Sequence, residues 1–218
     1  MHTLHRAHPG GLNGRLFQAV LSMSDIFLDG LPVLDGLEIT GSTSVTARWL
    51  RCDQSSVSRT YRRVSALLHL EFGKHNGRYQ AGHNRELLSC LRQAAQLRRL
   101  EQGSRQLHWI SQPDLRLPNR LLEPLGPLPC SWPQGHDCLA LLQQRVLDLL
   151  VLSGAPAQTL NRVAERRGFA CASWSLAPDL TLLTACGLRD HPTVAGLVRQ
   201  IGCSASLDAP HPVGRALA

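Results

Sequence analysis

Between Asp53 and Leu68 the chain reads DQSSVSRTYRRVSALL, and its polar and apolar residues separate on a helical wheel. Val57, Tyr61, Val64 and Leu68, spaced four, three and four apart, form one apolar stripe. Gln54, Ser55, Ser58, Arg59, Arg62 and Arg63 are left on the opposite face. Those residue types suit one kind of chemistry. A glutamine amide pairs bidentately with an adenine edge, an arginine fork pairs with guanine or phosphate, and a helix N-terminus attracts an anion. Further on, Arg78 follows an Asn76-Gly77 turn, from which it reaches toward a sugar-phosphate backbone or a minor groove. Gln54, Ser55, Ser58, Arg59 and Arg62 are thus candidates to read or position DNA, with Arg63 and Arg78 clamping its backbone.

A row of arginines and serines on a helix is by itself an ordinary solvated face. The neighbouring elements decide what it is for. Upstream, Pro32 suits a first helical position, and Val33, Leu34 and Leu37 share one face of a helix ending near Thr40-Gly41. Ser42 or Ser44 can cap a second helix, with Val45, Trp49 and Leu50 directed inward and the small Ala47 admitting a close neighbour. Asp53 is a good N-cap for the third. Downstream, Leu70 and Phe72 alternate with Glu71, Asn76-Gly77 supplies a hairpin turn, and Tyr79 starts the return strand. This order of elements is that of a winged helix-turn-helix, expected over 24–83 behind a flexible tail at 1–23, with Met23 an alternative start.

The segment from Gly41 to Leu68 resembles the DNA-binding signature of LysR-type transcriptional regulators. Gly41-Ser42, Ala47 and Leu50 match the family's second helix, and Gln54, Val57, Ser58 and Arg59 match the start of its recognition helix. Asp53 replaces the usual serine cap, Ser55 a proline, and Tyr61 and Val64 the usual buried isoleucine and leucine. Ser65 stands where glutamate is favoured, and the wing NGRYQAGHN is compressed. The resemblance implies a dimerising linker helix, matched by Arg85 to Gln102, and then an effector domain of two α/β lobes similar to periplasmic binding proteins. Leu107 to Ser111, Leu117-Pro118, Leu147-Asp148-Leu149, Ser153-Gly154 and His191-Pro192 are similar to stretches of that domain. Only about 110 residues are available from Leu107 onward, nearer one lobe than two.

The same segments can be read without the family. Asn84 can cap RELLSCLRQAAQLRRLEQ, which ends before Gly103 and carries the apolar stripe Leu87, Leu88, Leu91, Ala94 and Ala95. Residues 84–104 are therefore expected to dimerise through Leu87, Leu88, Leu91 and Ala95, the competing use of the stripe being to pack onto the chain's own winged helix. Beyond Arg105, strands at Leu107 to Ile110, Val146 to Leu152 and Phe169 to Leu176 alternate with helices around Asn119 to Leu125, Cys138 to Gln144 and Thr193 to Ile201. Such alternation predicts a small α/β domain with parallel strands over 105–218. Ser153 to Phe169 is expected to be a loop with one short helix, and the tail from Ser204 to be loose. The fold class is α/β overall: an N-terminal winged helix-turn-helix, a linker helix and a small C-terminal α/β lobe. A single lobe lacks the facing walls of a bilobed cleft, so a small-molecule effector acting as in two-lobed relatives is not expected.

Charge supports the partner. The chain has 23 Lys+Arg against 16 Asp+Glu, net +7, and Lys74 is its one lysine. Up to Arg105 there are 14 cations and 8 acids; from Gln106 there are 9 and 8, so the excess lies in the half with the helix-turn-helix. No stretch approaches the roughly 18 apolar residues of a membrane span, and MHTLHRAHPGGLNGRLFQAVLSM lacks the features of a secretion signal, which leaves a soluble, cytoplasmic protein as the expectation. Seven scattered cysteines are expected as reduced thiols, several of them in the core. Cys130, His136 and Cys138 fit no common zinc spacing, and Asp148 reads more readily as a strand-end acid bonded to backbone than as a functional carboxylate. Gly73-Lys74 is no phosphate loop, and the ten histidines form no H-E-x-x-H pattern. No catalytic residue, metal or cofactor is expected. The residues predict a protein that binds double-stranded DNA as a homodimer or higher oligomer, and the resemblance implies that it is a bacterial-type transcriptional regulator. The alternative is a protein-interaction module derived from such a regulator, without sequence-specific DNA binding.

Overall fold

A computed structural model describes residues 26–112, 115, 123–125, 137–177 and 180–207. The tail expected at 1–23 lies outside the described residues. A wide turn, Ile26–Gly30, leads into helix α1 (Leu31–Thr40), with Pro32 in its first turn. Gly41 stops α1 in the left-handed region at φ 65°, donating its N–H to the Leu37 carbonyl. Helix α2 (Thr43–Leu50) follows, capped by Ser42 Oγ, which accepts from the Val45 N–H at 3.4 Å. Arg51, also left-handed at φ 54°, turns the chain into helix α3 (Gln54–Leu67), with Asp53 at its cap position. The phase of α2 differs from the expected one: Thr46 and Ala47 are its buried residues, whereas Val45, Trp49 and Leu50 are half-buried. The cause lies in α1. A Cβ on Gly36 would stand 2.7 Å from Thr46 Cγ2 and 3.1 Å from the Trp49 ring, so the helices approach as closely as a glycine permits.

Strands β1 (Gly73–His75) and β2 (Arg78–Gln80) pair antiparallel about Asn76 and Gly77, both at positive φ. Helix α4 (Arg85–Gln102) then runs 18 residues to Gly103. Asn84 does not cap it; its Nδ2 donates to the Leu68 carbonyl and fastens the hairpin's exit to the end of α3. Leu34, Leu37, Val57, Val64, Leu70 and Phe72 form the apolar centre of this half, together with Leu88 and Ala95 of α4.

The second half is a four-stranded sheet between helices. Its elements are β3 (Trp109–Ser111), α5 (Cys138–Gln143), β4 (Leu149–Leu152), α6 (Gly154–Arg166), β5 (Cys171–Ala177), β6 (Leu180–Ala185) and α7 (Pro192–Leu207). The strand order is β3-β4-β6-β5, and only β3 and β4 are parallel; β6 runs antiparallel to both its neighbours. This corrects the expected parallel sheet, since β5 and β6 are consecutive and form a hairpin without a crossover helix. Between Ser153 and Phe169, where a loop with one short helix was expected, the helix takes up most of the stretch as the 13-residue α6. Helix α7 likewise continues past Ser204, where a loose tail was expected, to Leu207. Of the helix expected at 119–125, the described part is a single turn at Glu123–Leu125, and the rest lies outside the described residues. Alternation along β4 sorts the core. Leu149 and Val151 face α7 with Leu182, Val194 and Leu197, while Leu150 and Leu152 face α5 and α6 with Leu142 and Ala157. Ile39 of α1, fully buried, joins this second cluster, and Trp49 packs against it, so the two halves meet directly.

Candidate nucleic-acid interface

Helix α3 is held from behind and open in front. Val57 and Val64 are 0% and 2% exposed, and Tyr61 lies against Phe72 and Tyr79 of the hairpin with ring centroids 6.2 and 5.8 Å away. Ser65 Oγ accepts from the Phe72 N–H at 2.7 Å, tying the hairpin to the last turn of α3. Ser65 thus has a structural use at the place where the family pattern favours glutamate.

On the opposite face Gln54, Ser55, Arg59, Arg62 and Arg63 are exposed, and Ser58 is half-buried at the edge of the stripe. Gln54 Nε2 donates to Thr43 Oγ1 of α2 at 2.9 Å, and Arg59 Nη2 donates to Ser56 Oγ at 3.3 Å; both bonds are exposed and exchangeable for a partner in solution. Arg62 leans over the Tyr61 ring at 5.7 Å. Arg78 is exposed next to the hairpin turn. Arg48 and Arg51, exposed on α2 and in the turn before α3, extend the basic surface; their place in the turn was a signal the sequence reading left unused. No ion pair engages Arg59, Arg62 or Arg78 among the described residues.

Helix α4 divides its apolar residues between two faces. Leu88 and Ala95 are buried in the chain's own first core, and Leu91 packs half-buried beside them. Leu87, at 43% exposure, points away. With Cys90, Ala94 and Leu97, the last 52% exposed, it makes an outer stripe at spacings of three, four and three, the pattern of a helix-pairing seam. Leu97 was missed because the inner stripe, with its paired leucines, dominates the sequence pattern.

The inner face also carries charge. Arg92 Nε donates to Asp35 Oδ1 at 2.8 Å, and Arg92 Nη2 lies 2.9 Å from Glu38 Oε1 in ion-pair contact; all three side chains are buried. One and two turns further on, Gln96 Nε2 and Arg99 Nε reach Asp148 at 2.8 and 2.9 Å, and the His108 N–H donates to the same carboxylate at 2.8 Å. Burial opposes the charge on Asp148, but Arg99 and its hydrogen bonds hold the carboxyl below its ordinary range. For Glu38 burial prevails over Arg92 and pushes the carboxyl up. The Asp148 carboxylate thus takes one bond from the backbone, where backbone bonding was expected, and its others from the side chains of Gln96 and Arg99, partners the sequence did not reveal.

Among the described cysteines only Cys138 is fully buried, which corrects the expected set of core thiols; Cys52, Cys90, Cys186 and Cys203 are exposed. Cys130 and His136 lie outside the described residues, and no group of three metal-ligating side chains occurs among those described. No helix among the described residues is long and apolar enough to cross a membrane.

No family model matches the chain, and no curated protein matches it. Among solved structures it is similar to a full-length point variant of OxyR from Pseudomonas aeruginosa, a LysR-type regulator, at 17% identity and a TM-score of 0.32, over 57% of this chain. The match covers 49% of the OxyR chain, about half its length.

Proposed function

We propose that this chain is a DNA-binding transcriptional regulator resembling the LysR type. In this reading 24–83 is a winged helix-turn-helix, α3 is the recognition helix in the major groove, and the cytoplasm is its compartment. Gln54, Ser55, Ser58, Arg59 and Arg62 face the bases and adjoining phosphates, while Arg63 and Arg78 grip the backbone on either side. The observation that carries the reading is the exposed row on α3, positioned by a fixed turn and braced from behind by Tyr61, Phe72 and Tyr79. Two copies joined along the outer stripe of α4 would present two such helices to a two-half-site operator.

Fluorescence anisotropy against genomic fragments, with and without competitor DNA, tests this. Binding should favour some fragments over competitor, and log K should fall with log salt by about 0.9 for each phosphate neutralised. A chain that binds no duplex at low salt, or every duplex alike, would instead be the protein-interaction module.

A further inference from the structure

A cavity of about 210 Å³ opens where α1, α4 and the segment entering β3 meet. Leu31 and Pro32 give it an apolar side; Asp35, Arg98, Gln102 and His108 give it polar ones. Two of these groups are not accounted for by the fold. Asp35 is 1% exposed, and although its Oδ1 accepts from Arg92, its Oδ2 accepts no hydrogen bond among the described residues. Leaving a buried carboxylate oxygen without a donor is costly, so such an atom marks a place for a further partner. Arg98 is the second. Arg92 and Arg99 on the same helix are both paired to carboxylates, whereas Arg98 is exposed and has no hydrogen bond or ion pair among the described residues.

His108 completes the lining. Burial and the neighbouring Arg99 hold its pKa below the ordinary value, so the ring is neutral, and Nδ1, 3.0 Å from the Val146 carbonyl, carries the proton. Nε2 is then an acceptor. The walls accordingly combine acceptors, Asp35 and His108, with donors, Arg98 and Gln102. A ligand matching them has an ammonium and a carboxylate on a short aliphatic body. The volume of about 210 Å³ lies below the roughly 300 to 1,000 Å³ of sites for drug-sized ligands and suits a small body.

We propose that this cavity binds a small amino acid in its zwitterionic form, the ammonium donating to Asp35 and the carboxylate accepting from Arg98. The site differs from a cleft between two effector lobes, since its walls come from α1, α4 and the approach to β3. A bound amino acid bridges the two halves of the chain. Its influence on DNA rests on the function proposed above; its binding does not.

The test is a thermal-shift and calorimetric titration of the full chain with each standard amino acid. For any amino acid that binds, the amine lacking its carboxylate and the acid lacking its ammonium are titrated as well. At least one amino acid no larger than leucine should raise the Tm, and neither single-charge analogue should match it. Arg98→Ala, at an exposed position, should leave the unliganded Tm unchanged and weaken binding about tenfold or more. Asp35→Asn should weaken it too, but Asp35 also partners Arg92, so Arg98→Ala is decisive. The proposal is overturned if no amino acid shifts the Tm, if a single-charge analogue binds equally well, or if Arg98→Ala binds as the parent does. Binding confirmed in this way without a change in operator affinity would retain the site and sever it from DNA regulation; absence of DNA binding altogether would count against the regulator reading alone.

Discussion

Helices α3 and α4 are both rich in arginine and treat it in opposite ways. On α3, Arg59, Arg62 and Arg63 are exposed, on a helix that contains no acid at all. On α4, Arg92 is buried between Asp35 and Glu38, and Arg99 closes on Asp148. A guanidinium taken out of water needs a carboxylate and hydrogen bonds around it, so acids brought from distant segments decide which arginines are structural. Arginines such as Arg59 and Arg62 lie outside any ion pair among the described residues, and these are the ones the proposed function assigns to DNA. The sharpest way to break this contrast is to remove one acid. Asp148→Ala strands Arg99 and Gln96 and should cost about 3 to 5 kcal/mol in urea denaturation. Arg59→Ala should leave stability within about 0.5 kcal/mol. Equal losses from the two would abolish the distinction.

The two faces of α4 offer a second comparison. Leu88→Ala, at a core position with 3% exposure, should lower stability by about 2 to 5 kcal/mol and leave association unchanged in any fold that survives. Leu97→Glu should do the reverse, shifting sedimentation from dimer toward monomer with little change in monomer stability. Leu91→Glu, half-buried between the faces, should disturb both. If Leu97→Glu leaves the sedimentation unchanged, the outer stripe is not the dimer contact.

The first half of the fold was largely legible because local signals coincide with periodicity there. Pro32, Gly41, Ser42, Asn76-Gly77 and Gly103 all stand at element ends, and the stripe of Val57, Tyr61, Val64 and Leu68 fixes the orientation of α3. The second half was less so. β6 reads LTLLTA, and as a central strand buried on both faces it shows no alternation to set it apart from a helix. Strand direction was inferred from intervening helices, and β5 and β6 have none between them. The ion clusters of α4 were invisible because Asp35 and Asp148 lie 57 and 49 residues from their arginines, beyond any local pattern. For the candidate interface the helical wheel sufficed to separate exposed from buried residues. It did not show that Gln54 would rest on Thr43 or that Ser65 would hold the hairpin.

Within the exposed set, base readers and backbone clamps should differ in kind. Arg59→Ala and Gln54→Ala should each lose about 1 to 3 kcal/mol of discrimination between a preferred fragment and random DNA. Arg78→Ala should weaken all duplexes alike and reduce the salt slope by about one. Anisotropy titrations at several salt concentrations read both quantities. Arg59→Ala binding preferred and random DNA as the parent does would remove Arg59 from the readers.

The smallest expected effect concerns His108, which lies beside the Arg99–Asp148 cluster and touches Trp49 edge-on at 5.5 Å. Burial, then the positive charge of Arg99, keep its pKa below 6.5, with Asp148 and Asp35 opposing. An unfolded histidine near its ordinary value therefore binds more protons than the folded one as pH drops below about 6.5. The stabilisation from keeping His108 neutral is fully present above that pH and is lost as pH falls through the folded pKa, with a slope of at most about 1.4 kcal/mol per pH unit for one proton. Asp148, whose carboxyl is also depressed, contributes in a separate and more acidic window, below its ordinary 3.8. His108→Asn can keep a donor to the Val146 carbonyl at the Nδ1 position and has no titration there. Urea denaturation of parent and variant between pH 4.5 and 7.5, on the order of one unit either side of the histidine range, should show a shallower decline for the variant. Parallel curves would mean that the imidazole titrates as freely in the folded chain as in the unfolded one.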